Sequence, residues 1–530
     1  MSVIPGQPYS GAVSRPIDPG AKIRFLHVVL LVALALSVMV WGATAIAGVR
    51  GYELEKFISL AGFFGVACAF FVVSRVSAGF QDLFEIPVFM TLVAFVMFGA
   101  APLGSFLDPG TLFPNLHGDT SLFYPALQIV ILGMVAFWLG SALVRPRKPA
   151  PAVLDPRSLP GSAPHSLTLL LGVGLYLAVF VAKVYMLRSG MFAYLQSFDV
   201  TSAHRAQTQV WIVIEGFGLY ALILSSIEAY RHPGDKFRAL LFWMVFGSEC
   251  FWGLISGVKG ELLRNLLAVA LVSSFARQKL RMRWFALAIL GLIALYPLIN
   301  QYRSIVGGKV SGSVTSVNAA TEALRAAAAQ TAGQERTAGH WAVSGWSASV
   351  SRVNMLQNVA LLLAYQDRSY VLEGDERLWM IPFYPFVPRF VWPGKPIEDM
   401  GGRFTRLLGG GANSCTSPTI PGDLYVLHGG IPGVLVGMFL LGLAAQWLTN
   451  PVKLCPSKRN LFIYACMFFA LANWEPDFFS YSTLLIRTFV IVQILALILY
   501  GPAPAPSRLG AKAVKKNHRD TEAKRTEIAN

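Results

Sequence analysis

The chain has 530 residues, 55% hydrophobic and 14% charged, with a net charge of +16 and a mean hydropathy of +0.54. That balance excludes a soluble multidomain enzyme, which must present a polar surface to water. The basic residues sit in short clusters between apolar runs, so no continuous stripe is left to track a nucleic-acid backbone.

Residues 1–24 read as a cytoplasmic tail. Apolar runs of about 15–25 residues then predict about twelve spans. They fall at 25–48, 57–73, 84–100, 121–144, 166–187, 210–227, 237–255, 261–275, 284–299, 424–448, 460–474 and 483–500. Ala43-Thr44-Ala45 imitates a signal cleavage site, but the first apolar run is too long for a signal peptide and further spans follow. The eighth span is the weakest, being short and carrying Arg264. Of the five cysteines, Cys68, Cys250 and Cys466 lie in apolar runs, Cys455 in a short connection and Cys415 in the large loop, a pattern with no legible disulfide or metal framework.

Basic residues favour cytoplasmic connections. Alternate connections collect Arg75, then Arg145 to Arg157, Arg231 to Arg238, Arg277 to Arg283 and Lys453 to Arg459, whereas the intervening short ones carry few. Both termini are therefore expected in the cytoplasm, and residues 301–423 on the outer side. Residues 424–501 hold the last three spans, and the basic tail 502–530 lacks an apolar stripe to fold around.

The outer loop predicts helices at 318–331 and 347–365, the second lying on the outer surface of the bundle. From Trp379 runs WMIPFYPFVPRFVWPGKP, in which prolines forbid regular helix and aromatic rings supply packing, which predicts a rigid, extended lid. Five glycines in 401–411 flank Arg403 and Arg406, so backbone and cations there can approach a ligand. Arg389, Lys395, Arg403 and Arg406 together suit a diphosphate; the competing reading is a snorkelling belt at the membrane surface.

Lys183, Glu249, Arg264 and Arg487 lie inside apolar runs, where some must pair. The hairpin SGVKGELLR places Lys259 and Arg264 little more than a helical turn apart, able to point into one cavity; alternatively, Glu261 simply caps a helix. Tyr302-Arg303, after the ninth span, adds a cation at similar depth. Where the chain returns to the membrane, Asp423 and His428 are the nearby groups able to take a proton, unless the first is a cap and the second structural.

These segments resemble the Wzy-type O-antigen and exopolysaccharide polymerases, the oligosaccharide repeat-unit polymerases. The likeness covers roughly residues 256–437: SGVKGELL, Tyr302-Arg303, Ser351-Arg352-Val353-Asn354, PRFVWPGKP and GDLYVLHGGIPGVLVG. Lys259 departs from the arginine expected in the hairpin, and Gly394 from an acidic residue. The resemblance implies an all-α polytopic membrane protein of about twelve spans, similar to the GT-C glycosyltransferases. It would polymerise undecaprenyl-diphosphate-linked oligosaccharides at the periplasmic face of the bacterial inner membrane. No metal and no cofactor are expected, and the partners are that substrate, membrane lipid and a Wzz-like chain-length regulator, with no nucleic acid. Asp423 or His428 would activate the acceptor hydroxyl, and Arg303, Arg389 and Arg264, helped by Lys259, would hold the leaving diphosphate. Arg352, Trp392, Lys395, Arg403, Arg406 and Tyr425 would contact diphosphate or glycan. A lipid-linked sugar ligase is a competing reading. So is an oligosaccharide flippase or transporter, which would string charges across many spans.

Overall fold

The computed structural model describes residues 52–75, 83–107, 116, 120–145, 165–190, 192, 205–232, 234–275, 291, 297–306, 316–334, 353–387, 391–392, 394–396, 398–409, 415–454 and 457–501. Among these residues there is helix and no strand. The first predicted span, most of the ninth, both tails, the Arg277 to Arg283 cluster, Arg352 and Arg389 lie outside the described residues.

In chain order the principal helices are α1 (Tyr52–Arg75), α2 (Ile86–Ala94), α3 (Phe123–Leu143), α4 (His165–Arg188), α5 (Arg205–Arg231), α6 (Lys236–Ser256) and α7 (Lys259–Phe275). The loop contributes α8 (Val317–Gln334), α9 (Leu356–Ala364) and α10 (Met400–Leu407). The chain ends with α11 (Ile420–Leu427), α12 (Ile431–Leu454), α13 (Lys458–Leu471) and α14 (Phe478–Tyr500). Seven stretches, in α1, α3, α4, α5, α6, α12 and α14, are long and apolar enough to cross a membrane. The predicted third, eighth and eleventh spans are present as shorter helices: α2 continuing as a π turn to Ala100, the 17-residue α7 and the 14-residue α13.

The most extensive packing joins α3 to α12. Here a Cβ on Gly140 would overlap the Phe439 carbonyl, and one on Gly442 would overlap the Phe137 carbonyl. Reciprocal glycines thus let two backbones touch, the usual basis of close helix association when lipid removes the hydrophobic drive. Lys183 and Glu249, charges inside the bundle, are paired. Lys183 Nζ lies 2.8 Å from both Glu249 oxygens, the two side chains being 2% and 3% exposed, and 3.9 Å from Glu215. At one end of the bundle Lys458 and Arg238 meet Glu228 at 3.2 and 3.5 Å, Lys453 meets Glu85, and Arg75 meets Gln446 and Ser141. Cations from three connections that the charge pattern assigned to one side therefore share one end.

Three expectations are corrected. Helix α9 does not lie on the outer surface: Leu356 through Leu362 are all buried, and α9 packs on α3 and α11. Its faces are apolar or amide-bearing all round, and Asn358 donates to the Ser417 carbonyl at 2.8 Å, so the segment is a core helix. The predicted span 424–448 is broken. Gly429 and Gly430 take φ of +97° and +70°, and a Cβ on Gly433 would overlap the His428 carbonyl, so α11 ends and α12 starts afresh at Ile431. The Pro/aromatic segment is compact rather than extended. Residues 381–387 form successive turns, Tyr384 donates to the Pro396 carbonyl at 2.7 Å, and Lys395 donates to Val387 O at 3.1 Å while lying 4.2 Å above the Tyr384 ring.

Candidate active site

Two connections meet at the N-terminal end of α14. Thr419 N donates to Glu475 O at 2.9 Å, Ile420 N to Trp474 O at 3.2 Å, and Ser417 Oγ also binds Glu475 O. Thr419 is fully buried and holds φ +66°, ψ 143°, a conformation costly for a β-branched residue, while its hydroxyl accepts the Gly422 N–H. These ties bring α11 against the first turn of α14. Asp477 caps α14 by accepting from Ser480 N at 2.7 Å, and Asp423 accepts the adjacent Phe478 N–H at 2.8 Å.

His428 ends α11 where the two glycines break the helix, its Nε2 3.4 Å from Asp423 Oδ2. The three groups line a cleft of about 290 Å³ together with Glu373, Glu376, Arg377, Arg403 and Ser480. Asp423 and Asp477 are 1% and 8% exposed, whereas the His428 side chain is 20% exposed and reachable. Burial alone would pull the imidazole pKa down, but the hydrogen bond and charge of Asp423, with the charge of Asp477, lift it above 6.5. Burial, then the Asp423 charge, pushes Asp477 up to about 6. Part of the Glu398 side chain meets solvent, yet desolvation of its carboxyl and the Asp477 charge push it up to about 7. The cleft therefore holds two proton-exchanging groups, His428 and Asp477, each lifted above its ordinary value, with Glu398 outside its lining.

The predicted cations are differently placed. Arg403 lines the cleft but is held by Glu376 at 3.1 Å and by the Leu372 carbonyl at 2.9 Å. Arg406 is exposed and pairs with Asp399 at 2.7 Å. Glu376 and Asp399 are thus the partners of these arginines. The glycines beside them, Gly401 and Gly402, press on Cys415 and Asp399. Lys395 is buried in the turn described above, and Trp392 is half-buried 6.4 Å from the Tyr384 ring, which stacks edgewise on Phe479 of α14 at 5.1 Å. Tyr425 packs beside the core rather than in the cleft.

The turn of the hairpin is present, but Lys259 and Arg264 are not seen to share a cavity there. Gly257 turns the chain at φ +68°, Tyr302 Oη donates to Ile255 O at 2.8 Å, and the Arg303 side chain lies against Gly257. Ser256 Oγ donates to Glu261 at 2.9 Å, fixing the turn. Lys259 begins α7, its side chain lying outside the described residues. Arg264 points elsewhere than the hairpin mouth. It lines a second cavity of about 170 Å³, between α5, α7, α13 and α14, together with Tyr220, Arg487 and Thr488. Its Nε is buried without a hydrogen-bond partner among the described residues. The carboxylates felt nearby are Glu261, which interacts with Arg264, and Glu398, which interacts with Arg487, and neither lines this cavity.

Sequence reasoning missed Asp477 and left Arg487 without a role. Asp477 resembles any helix cap in sequence; only the fold sets it beside Asp423. Arg487 was visible as a charge in an apolar run, which is the signal that could have paired it with Arg264. A family model described as a domain of unknown function (DUF8712) matches residues 177–455, which include Arg264, Asp423 and His428 and stop before Asp477 and Arg487. No curated protein and no solved structure matches the chain.

Proposed function

We propose that this chain, which belongs to the DUF8712 family, is a multi-pass membrane glycosyltransferase that polymerises undecaprenyl-diphosphate-linked oligosaccharide repeat units. The reaction is placed at the periplasmic face of the bacterial inner membrane. The observation that carries this reading is the His428–Asp423 pair, which opens into a polar cleft where α11 and α14 meet; α14 also carries Arg487, which lines a separate cavity with Arg264. The sequence resemblance described above supplies the substrate.

With Nε2–H donated to Asp423, the imidazole accepts a proton at Nδ1. The acceptor sugar hydroxyl loses its proton to that nitrogen as its oxygen bonds to the donor's anomeric carbon. The bond from that carbon to the diphosphate oxygen breaks, and its electron pair leaves on the diphosphate. Arg264 and Arg487 stabilise the departing charge in a low-dielectric cavity, where such contacts are strongest. His428 then returns its proton to solvent through the cleft.

A deletion strain separates the competing activities. Loss of long glycan chains with single units still attached supports polymerisation; loss of all attachment indicates a ligase, and lipid-linked units stranded at the cytoplasmic face indicate a flippase.

A further inference from the structure

Helix α14 presents two differently built faces below the cleft. Leu484, Arg487, Thr488 and Ile491 line the arginine cavity, whereas Phe478, Tyr481, Leu485 and Phe489 line a separate groove of about 300 Å³ against α12 and α13. At about 100° per residue, from 3.6 residues per turn, these two sets occupy distinct sides of the helix. Among the described residues no charged side chain lines the groove; its polar groups are the Ser482 hydroxyl and the Tyr481 phenol, whose Oη donates to Leu471 O at 2.8 Å. Its rim is exposed at Leu440 and Trp447, where lipid would meet it.

Its upper end belongs to the reaction centre. Phe478 closes the groove, donates its N–H to Asp423, and sets its ring 6.2 Å from the His428 ring. From Phe478 to Phe489 the groove follows about 16 Å of helix at 1.5 Å per residue, enough for an extended hydrocarbon chain.

We infer that this groove seats the isoprenoid tail of the acceptor, so that two lipid-borne substrates flank α14 and meet at His428. This rests on the transferase reading given above. The donor's diphosphate takes the cationic face. The groove offers no counter-charge, so it recognises hydrocarbon alone, and only a chain whose polar head reaches the cleft makes use of its junction with Phe478. Bulk phospholipid filling the same space is an outcome of the test.

The experiment uses the full chain in nanodiscs with a diazirine-bearing polyprenyl diphosphate as probe. Crosslinks are expected on the Leu485/Trp447 side as well as beside Arg487, and Ala444→Trp, which fills the groove, removes the former set. Kinetically, wild-type protein is expected to favour a lipid-borne acceptor over the same oligosaccharide without lipid by about tenfold in KM. That preference collapses in Ala444→Trp and in Leu440→Trp, the latter at the exposed rim where folding is not at risk. Crosslinks confined to the Arg487 side, labelling competed away by ordinary phospholipid, or an acceptor preference surviving both substitutions would overturn the inference. Failure of wild-type protein to transfer any glycan would instead remove the transferase reading, while the crosslinks still report whether the groove takes an isoprenoid.

Discussion

His428 Nε2 stands 3.4 Å from Asp423 Oδ2, and the same oxygen accepts the Phe478 N–H at 2.8 Å. One carboxylate thus fixes both the imidazole at the helix break and the start of α14. His428→Gln keeps a polar side chain of similar reach but removes the proton acceptor, and should lower kcat by about 10²- to 10⁴-fold with little change in KM. Because the imidazole is lifted above 6.5, the wild-type rate should rise with pH along a limb centred above that value. A limb centred below it removes His428 as the base.

Asp477 titrates near 6 rather than at 3.8, so the folded chain binds its proton more tightly than the unfolded chain does. The associated stability is complete below 3.8 and is lost as pH rises through about 6. Asparagine caps a helix about as well as aspartate. Asp477→Asn should therefore melt higher than wild type at pH 7.5, with the advantage vanishing at pH values below the ordinary carboxylate range. It also removes one charge that lifts His428, so the acidic limb of the rate profile should move down. Thermal scans and rate profiles across pH check both shifts, and an unmoved limb would separate Asp477 from the reaction.

Arg264 and Arg487 face one cavity that no carboxylate among the described residues lines. If each contributes a charge-assisted bond of about 1.5–3 kcal/mol to the departing diphosphate, its replacement by alanine slows turnover roughly ten- to hundredfold. Lysine, a point charge without the bidentate fork, should restore only part of the rate. The same alanine scan at Arg303 and Arg389 decides whether the cations named from sequence contribute; wild-type turnover at all four positions would empty the diphosphate site.

Lys183 and Glu249 serve the bundle rather than the cleft. Lys183→Met leaves a carboxylate buried without its partner and should cost about 3–5 kcal/mol, whereas the double substitution Lys183→Met/Glu249→Leu should recover most of that loss. Denaturation in detergent micelles measures the difference, and equal losses in the single and double variants would contradict the pairing.

What was legible in the sequence was whatever depends on local pattern. Apolar run length located α1, α3, α4, α5, α6 and α14, because a membrane helix must satisfy its backbone within itself. The tight turn at Gly257 was legible from its small residues, and the need for some charges inside spans to pair from the cost of a lone charge in lipid. Helix α9 was misplaced because apolar residues at three- and four-residue spacing suggest a one-sided surface helix until one sees that Asn354, Gln357 and Asn358 are buried as well. The α11–α12 break was written in His428-Gly429-Gly430, but its consequence, an imidazole exposed at a helix end, needed the backbone. Asp477 and Arg487 could not be joined to the site from sequence, since they lie 54 and 64 positions beyond Asp423 and reach it only through α14.

Reconstitution addresses the central claim most directly. Purified wild-type chain in liposomes, given an undecaprenyl-diphosphate-linked repeat unit as sole substrate, should yield a ladder of lengthening glycans and release undecaprenyl diphosphate, while His428→Gln returns the unit unchanged. A ladder that forms equally well with His428→Gln, or substrate left intact by folded wild-type protein, would contradict the account.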